Sequence, residues 1–226
     1  MGPLGSETYR AALERAWRGL DLESLEGKTV LIAGASGMLG RCLTDVLRSW
    51  GRCRVIVLGR SVPADGNSWR HDVSKPLTEL SESVDYFIHA ASSADPVRMA
   101  ADPVGTLLAN VQGTKNLLDY GLTHGMRRFL FVSSGEVYGQ PDSEMSDFTE
   151  DYCGPLDLSS PRTCYPEGKR AAEVLCQSYI SQCNADAVIV RPCHLFGPTA
   201  RRNDSRAVSE FLWSAAEGRD IVLKSE

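Results

Sequence analysis

Short apolar runs and longer amphipathic stretches alternate along this chain of 226 residues. Each apolar run is long enough for one buried strand, and each amphipathic stretch repeats its apolar residues at the spacing of a helix. The predicted strands are 30–33, 54–58, 84–91, 129–132, 187–190 and a short one at 221–223. The predicted helices are 41–50, 102–124, 165–183 and 205–217. This alternation predicts an α/β fold, a doubly wound parallel sheet with helices on both faces.

The N-terminal segment and one loop stand outside this alternation. Residues 1–6 resemble the remnant of an expression tag, so the fold prediction leaves them out. Residues 7–25 carry apolar residues at helical spacing, and Gly27 is expected to end that helix. We therefore predict an added N-terminal helix within residues 7–27, which packs on the main domain or on a partner subunit. Residues 63–69 are predicted to form a polar loop.

Three glycines, Gly34, Gly37 and Gly40, separate the first predicted strand from the first helix of the main domain. A strand, a glycine turn and a helix suit a pyrophosphate, because helix N–H groups and the positive end of the helix dipole face the anion. Gly34 would allow the tight turn, Gly37 the approach of phosphate oxygens, and Gly40 close packing of helix on strand. The spacing is G-x-x-G-x-x-G rather than G-x-G-x-x-G, so an ordinary strand–turn–helix is the alternative.

The end of the second predicted strand bears on which dinucleotide would bind. A carboxylate about 20 residues past the glycines would bond the ribose hydroxyls of NAD. The sequence at this point is Leu58-Gly59-Arg60-Ser61, which contains no acid. Arg60 would instead suit the 2′-phosphate of NADP, so NAD and NADP both stay open. The alternative is that Arg60 is merely a solvated residue at a strand end.

Composition and charge weigh against several classes of function. Apolar residues make up 42% of the chain, which suits a globular core, and no run approaches a membrane span or a signal peptide. The net charge of −5 disfavours a nucleic-acid or anionic-membrane surface. The seven cysteines include no C-x-x-C pair, so we expect no disulfide framework and no zinc or other metal site. A reducing, cytoplasmic location fits this cysteine pattern.

Tyr165 and Lys169 are four residues apart and therefore share one face of a predicted helix. A lysine ammonium and a cationic nicotinamide ring would both favour the phenolate of the tyrosine, whose ordinary pKa is about 10. Such a tyrosine can take a proton from a substrate hydroxyl while a hydride leaves the same carbon. Ser134, at the end of strand 129–132, would orient that hydroxyl. The alternative is that the pair lies on an ordinary helix face.

Six motifs follow one another from about residue 28 to the end of the chain. They are Gly34-x-x-Gly37-x-x-Gly40, His89-Ala-Ala-Ser92, Asn110-Val-Gln-Gly-Thr114, Ser133-Ser-Gly-Glu-Val-Tyr-Gly139, Tyr165-Pro-Glu-Gly-Lys169 and Arg191-Pro-Cys-His-Leu-Phe-Gly-Pro198. In this order they resemble the extended short-chain dehydrogenase/reductases, specifically the nucleotide-sugar epimerases, dehydratases and decarboxylases. The resemblance implies a Rossmann-type dinucleotide-binding domain over residues 28–200. It also implies that residues 201–226 begin a substrate-binding lobe, most of which is absent because the family's chain normally continues.

The resemblance further implies which residues hold the cofactor. They are Gly34, Ser36, Gly37, Met38, Gly40, Asp72, Val73, Ala90, Ala91, Ser92, Tyr165 and Lys169. The glycine loop would hold the pyrophosphate, Asp72 and Val73 the adenine, and Tyr165 with Lys169 the nicotinamide ribose. Asn110 is either a structural amide or a direct participant. The helices that carry Asn110 and Tyr165 are expected to form a homodimer interface.

Glu136 distinguishes the branches of this family. In the dehydratases the matching segment carries an Asp–Glu pair, whereas Gly135 stands where the aspartate would be. Ser134 and Glu136 without that aspartate are more similar to the UDP-glucuronate decarboxylases. In those enzymes a ketone formed at sugar C4 lets the neighbouring carboxylate leave as CO₂. The alternative for Glu136 is a solvated loop charge.

Further substrate contacts are expected towards the C-terminus. His194 stands where the family usually has asparagine, and Arg202, with Arg201 and Arg206, would reach a substrate diphosphate or carboxylate. A solvated arginine cluster is the alternative. The favoured prediction is an NAD(P)-dependent nucleotide-sugar decarboxylase, with an epimerase or dehydratase as the alternative within the family. An NADP-linked carbonyl reductase and a non-catalytic cofactor-binding or assembly module also stay open.

Overall fold

A parallel six-stranded sheet forms the centre of the computed structural model, which describes residues 3–62, 66–77, 83–142, 147–202 and 204–223. The strands are β1 Thr29–Ala33, β2 Arg54–Gly59, β3 Ser68–Arg70, β4 Tyr86–His89, β5 Arg128–Val132 and β6 Ala187–Val190. Their order in the sheet is β3-β2-β1-β4-β5-β6, and every neighbouring pair is parallel. The strand order reverses between β1 and β4, which is where a doubly wound sheet opens its ligand crevice. The predicted fold class is confirmed.

Six α-helices lie around this sheet within the described residues. They are α1 Glu7–Arg18, α2 Met38–Trp50, α3 Pro96–Ala101, α4 Pro103–Thr123, α5 Cys164–Cys183 and α6 Ala207–Ala216. Short 3₁₀ turns occur at Pro3–Gly5, Glu23–Leu25, Gly135–Tyr138 and Pro161–Thr163. Helices α4 and α5 pack side by side and against the sheet. None of the helices formed by the described residues is long and apolar enough to cross a membrane.

The two faces of β1 explain why its sequence is a continuous apolar run. Leu31 points into a core that contains Phe131 and Leu117 under α4 and α5. Val30 and Ile32 point into the opposite core, under α2. All of these side chains are almost fully buried, and each such burial contributes about 1.5–3 kcal/mol. A strand covered on both faces cannot show the apolar–polar alternation of a half-exposed strand.

The N-terminal helix is shorter than predicted. Helix α1 ends at Arg18 with Gly19 as its cap, and the chain then forms the 3₁₀ turn at Glu23–Leu25 before Gly27. The helix packs on α2, and the Tyr9 hydroxyl donates a hydrogen bond of 3.0 Å to the Asp45 carboxylate.

Three local predictions differ from the structure because the segments are short. The predicted loop 63–69 contains the start of edge strand β3, and residues 63–65 of it lie outside the described residues. Helix α3, only six residues long, was not predicted. Residues 221–223 form no strand and are at least half exposed. Among the described residues no strand pairs with them.

Candidate active site

The glycine loop between β1 and α2 is built from closely packed backbone. Gly34 has a φ of +88°, and a Cβ on it would lie 2.5 Å from the carbonyl carbon and oxygen of Ala90. A Cβ on Gly40 would collide with the carbonyl oxygen of Gly34. Gly37 precedes the first residue of α2 and donates its N–H to the Gly34 carbonyl at 2.9 Å. The loop therefore brings the ends of β1 and β4 together below the N-terminus of α2, where the first N–H groups have no partner within the helix.

Three residues close to the C-terminus, Thr199, Arg201 and Arg206, contact this loop or the first residue of α2. The Thr199 hydroxyl donates to the Met38 carbonyl at 2.7 Å, and the Arg201 guanidinium donates to the Ser36 carbonyl at 2.9 Å. The Arg206 guanidinium pairs with the Asp204 carboxylate and lies 3.7 Å from the Met38 sulfur. Burial raises the pKa of Tyr165, and the charge of Arg206 offsets a small part of that rise. Arg201 and Arg206 therefore both contact the glycine loop or the first residue of α2, and no pattern in the sequence ranked them above Arg202.

Arg202 is more exposed than Arg206, and its partners lie on α6 and at its end. Its guanidinium pairs with the Glu217 carboxylate and lies 4.9 Å from the centre of the Trp213 ring. The Arg202 side chain is 66% exposed, against 32% for Arg206. The structure thus places Arg206, and not Arg202, against the loop, and a substrate contact by Arg202 stays a prediction.

The predicted adenine contacts lie beyond β3. The Asp72 carboxylate accepts the Ser74 N–H at 3.0 Å and the Ser74 hydroxyl at 2.9 Å. Burial pushes the pKa of Asp72 up, yet these hydrogen bonds and the charge of Arg60 hold it below its ordinary value. Val73 is buried against Gly113 of α4, and Arg60 is exposed. Their order along the sheet edge suits one end of an extended dinucleotide.

Unpartnered polar atoms mark the crevice beside β4. The Ala90 N–H donates to the Ala33 carbonyl at 2.9 Å, and Ala91 and Ser92 follow along the same edge. Among the described residues, the buried oxygens Ser92 Oγ and Ser93 Oγ, which follow β4, have no hydrogen-bond partner. Buried polar atoms in folded proteins normally have partners. These atoms, with a glycine loop that no Cβ could enter, fit a polar ligand with phosphate and hydroxyl groups.

Ser134, Tyr165 and Lys169 meet at the ends of β5 and α5. Ser134 caps the 3₁₀ turn Gly135–Tyr138 and shares a hydrogen bond with the Tyr165 hydroxyl. The Lys169 ammonium donates to the Val132 carbonyl at 2.6 Å and lies 5.8 Å from the centre of the Tyr165 ring. The structure therefore brings the three predicted residues together at one edge of the crevice.

Burial sets the proton affinities of this group. Burial raises the pKa of the Tyr165 hydroxyl above its ordinary value, and the hydrogen bond with Ser134 offsets part of that rise. Burial also lowers the pKa of Lys169 to about 7. A lysine in this range can change charge near neutral pH, which is typical of a functional site rather than of a surface lysine.

Glu136 lies at the mouth of the same site and has a partner that the sequence did not suggest. The Arg162 guanidinium donates to both oxygens of the Glu136 carboxylate, at 2.8 and 2.7 Å. Both charges act on the pKa of Tyr165, which Glu136 raises and Arg162 lowers. Glu136 is therefore an exposed carboxylate, 41% accessible, whose charge is paired with Arg162 near the tyrosine, and its role in the reaction stays a prediction.

Gly135 has no room for a larger side chain in this arrangement. A Cβ on Gly135 would collide with the Cys193 sulfur, and the Gly135 N–H donates to the Pro192 carbonyl at 3.1 Å. An aspartate at this position would require Cys193 to move. His194, next in the chain, is exposed and has a φ of +46°, a conformation that asparagine adopts readily.

Asn110 fixes the distance between α4 and α5 behind the site. Its amide nitrogen donates to the Thr106 carbonyl at 2.9 Å and lies 3.3 Å from the position of a Cβ on Gly168. Gly168 precedes Lys169, so the close approach of the two helices helps to place the lysine. Within the described residues, no cluster of three or more His, Cys, Asp or Glu side chains could hold a metal ion.

Comparison with known families and proteins gives both a family match and a set of curated relatives. A family model described as "NAD dependent epimerase/dehydratase family" matches residues 30–226. UDP-glucuronic acid decarboxylase 1 of Xenopus tropicalis is 34% identical over 215 residues, which are 89% of this chain and 49% of that protein. The chain thus spans about half the length of the curated relatives that it matches.

Two solved structures show the same architecture. The dTDP-glucose 4,6-dehydratase DesIV of Streptomyces venezuelae, with NAD and TYD bound, is 26% identical with a TM-score of 0.67, and the match covers 84% of this chain and 62% of that one. The UDP-glucose 4-epimerase of Thermotoga maritima, with UDP-glucose, is 19% identical with a TM-score of 0.73, covering 88% and 66%. The second likeness shows the fold alone.

Proposed function

We propose, from the premise that this chain belongs to the NAD dependent epimerase/dehydratase family, that it binds NAD or NADP and modifies a nucleotide sugar through a transient 4-keto sugar. Decarboxylation of UDP-glucuronate is the favoured reaction. The observation that carries the proposal is the meeting of Ser134, Tyr165 and Lys169 beside a glycine loop built for a pyrophosphate.

The first step of the proposed reaction oxidises a hydroxyl on the sugar. When bound, the cofactor would accept the hydride from C4 and later return it. Tyr165 would take the hydroxyl proton, and its partner Ser134 would hold the same oxygen in place. The charge of Lys169, 5.8 Å from the Tyr165 ring, would favour the phenolate form of the tyrosine.

The second step of the proposed reaction breaks a carbon–carbon bond. The C5 carboxylate leaves as CO₂, and the electron pair of that bond moves towards the C4 ketone, so C5 afterwards gains a proton. Glu136, paired with Arg162 beside Tyr165, is the candidate group to manage that proton. The absence of an acid at Gly135 disfavours dehydration, because in the dehydratases that the chain resembles an aspartate stands at this position.

The choice of cofactor is proposed to follow from the end of β2. Arg60 is exposed beside Asp72, and neither Arg60 nor Ser61, the two residues that directly follow β2, is an acid that could accept the ribose hydroxyls of NAD. NAD is favoured by the solved relative that contains it, and NADP by Arg60. The affinities of the wild type and of Arg60→Ala for NAD⁺ and NADP⁺ distinguish the two cofactors. If the wild type prefers NADP⁺ and the variant binds both equally, Arg60 holds the 2′-phosphate.

We further propose a homodimer through α4 and α5, in a cytoplasmic protein. Val104 and Leu108 of α4 and Val174 of α5 are apolar yet 67%, 45% and 66% exposed. Apolar side chains clustered on two packed helices suit an interface between copies. A Leu108→Lys variant that runs as a monomer in light scattering, where the wild type runs as a dimer, would support this assembly.

Mass spectrometry of reaction products tests the proposed function. This chain, and any longer natural version of it, would be incubated with NAD⁺, and in parallel with NADPH, together with UDP-, GDP-, CDP- or dTDP-sugars. Loss of CO₂ from UDP-glucuronate with no net change in reduced cofactor supports decarboxylation. Loss of water would indicate a dehydratase, and an unchanged mass with altered stereochemistry would indicate an epimerase. Stoichiometric release of NADP⁺ would indicate a carbonyl reductase. Cofactor binding without turnover of any sugar indicates a non-catalytic module.

Two variants locate the chemistry within the site. Tyr165→Phe should abolish turnover and leave cofactor binding largely intact. Tyr152→Phe is the control and should keep the wild-type rate, because the Tyr152 hydroxyl donates to the Gln140 carbonyl, away from Tyr165. Glu136→Gln should slow turnover more than it weakens binding, with Glu167→Gln as the control. Equal rates for Tyr165→Phe and the wild type would remove the proposed base.

A further inference from the structure

Glu173 is a buried carboxylate that the proposed reaction does not use. It lies one helical turn after Lys169 on α5 and is 8% exposed. Its oxygens accept the Ser133 hydroxyl at 2.5 Å and the Arg191 guanidinium at 3.0 and 2.6 Å. Arg191 is itself fixed, because it donates to the Glu150 carbonyl at 2.6 Å and lies 5.0 Å from the centre of the Tyr138 ring. Ser133 and Arg191 therefore fix the Glu173 carboxylate, and Arg191 is itself fixed by its contacts with Glu150 and Tyr138.

Ser133 connects this carboxylate to the active site. It stands between Val132, whose carbonyl accepts the Lys169 ammonium at 2.6 Å, and Ser134, the partner of Tyr165. Ser133 is only 2% exposed, so its hydrogen bond with Glu173 is shielded from water. The contact thus fixes the end of β5 against α5 at the point where both helix and strand supply active-site groups.

The groups that surround the Lys169 ammonium come from β4, β5 and α5. From β4, His89 is neutral because burial lowers its pKa to about 3. From α5, burial raises the pKa of the Tyr165 hydroxyl, and burial raises the pKa of the Cys176 thiol to about 12. From β5, the Val132 carbonyl and the Phe131 ring contact the ammonium without a formal charge. Among these groups Glu173 alone is a carboxylic acid, and it lies one helical turn from Lys169.

We propose that Glu173, held by Arg191, is a positioning residue that keeps Lys169 protonated and fixes the end of β5 that presents Ser134. Burial by itself disfavours the lysine charge, and the carboxylate one turn away opposes that effect. The importance of this charge for catalysis rests on the proposed function. The charge state of Lys169 itself does not, because it can be measured without substrate.

Carbon-13 labelling of lysine allows a direct test on the whole chain. The chain contains five lysines, Lys28, Lys75, Lys115, Lys169 and Lys224, so the spectrum is sparse. Ordinary lysines titrate near pH 10.4, whereas Lys169 should titrate far lower, and a Lys169→Arg variant assigns its signal. In Glu173→Gln the midpoint should fall by about one pH unit, the change expected from loss of one close opposite charge.

A control on the same helix separates this effect from general loss of charge. Glu167 lies two residues before Lys169 but pairs with Arg170 at 3.0 Å, so Glu167→Gln should leave the midpoint unchanged. A purely structural role for Glu173 predicts no shift in a folded variant. An unchanged midpoint in Glu173→Gln, or an equal fall in Glu167→Gln, would overturn the proposal.

The opposite variant covers the case in which Glu173→Gln does not fold, as judged by circular dichroism. Arg191→Gln removes the cation that offsets Glu173, so the Lys169 midpoint should rise. A fall or no change in that variant would contradict the proposal. Because neither titration involves turnover, absence of enzymatic activity would count against the proposed function and leave this result intact.

Discussion

The two sides of the crevice are built on different physics. On the β1 side, the loop Gly34–Gly40 consists of backbone packed so closely that no Cβ fits at its two ends. On the α5 side, Lys169 and Glu173 are buried charges whose partners decide their state. Adding an atom to the glycine loop should therefore destabilise the β1 side. Removing a charge or adding a proton should disturb the α5 side. Variants on the two sides test that contrast.

The largest effect is expected from Gly34→Ala. The methyl group would meet the Ala90 backbone at 2.5 Å, and the φ of +88° is unfavourable for alanine. Backbone strain and overpacking together should lower the free energy of unfolding by about 2–4 kcal/mol. Urea denaturation measures this loss.

Gly66→Ala is the matched control, because nothing described lies within 4 Å of a Cβ there. Its free energy of unfolding should stay within about 0.5 kcal/mol of the wild type. Equal stability of the Gly34→Ala variant and this control would mean that the loop is not closely packed.

A smaller loss of folding stability is expected from His89 of β4, which lies close enough to Lys169 to feel its charge, when the pH falls. The His89 pKa is lowered to about 3 by burial, whereas the unfolded chain has an ordinary histidine near 6.5. Below pH 6.5 the unfolded chain therefore binds more protons, and stability falls as the pH falls towards 3. Between pH 7 and 5 the wild type should lose about 2 kcal/mol from this one group.

His89→Gln isolates that contribution from the carboxylates. The variant should lack the acid-dependent loss of about 2 kcal/mol, while His194→Gln, an exposed histidine, should keep it. Parallel pH profiles of unfolding for the wild type and His89→Gln would show that His89 becomes protonated in the folded chain.

The smallest effect separates two neighbouring arginines. Arg206→Ala should weaken binding of NAD⁺ about tenfold, or 1.4 kcal/mol, because its guanidinium lies 3.7 Å from the sulfur of Met38, the first residue of α2. Arg202→Ala should change that affinity less than about twofold, since its partners are Glu217 and Trp213. Calorimetry of both variants gives the comparison, and an equal loss would place Arg202 at the cofactor.

Long periodic elements were predictable from sequence, whereas contacts distant in the chain were not. Helix α5 begins one residue from its predicted start, and β6 coincides with its prediction, because local apolar spacing specifies both. Helix α3 and strand β3 are too short to show a period. The contact of Arg201 with Ser36 spans 165 residues, so no local pattern could reveal it.

The candidate site divides in the same way. Ser134, Tyr165 and Lys169 form motifs that the sequence shows directly, and the structure brings them together. Arg162 and Glu173 lie close to these motifs in sequence, but their roles depend on partners 26 and 40 residues away, Glu136 and Ser133. A charged residue has a readable role only once its partner is known.

A crystal structure of the chain with bound NAD⁺ tests the central claim most directly. The pyrophosphate should lie at the N-terminus of α2 over Gly37, with the nicotinamide ribose against Lys169. The ring should leave room for a substrate carbon whose hydroxyl lies about 3–3.5 Å from the Tyr165 oxygen. A nicotinamide ring on the far side of the glycine loop, out of reach of Tyr165, would contradict the account even though the fold stayed the same.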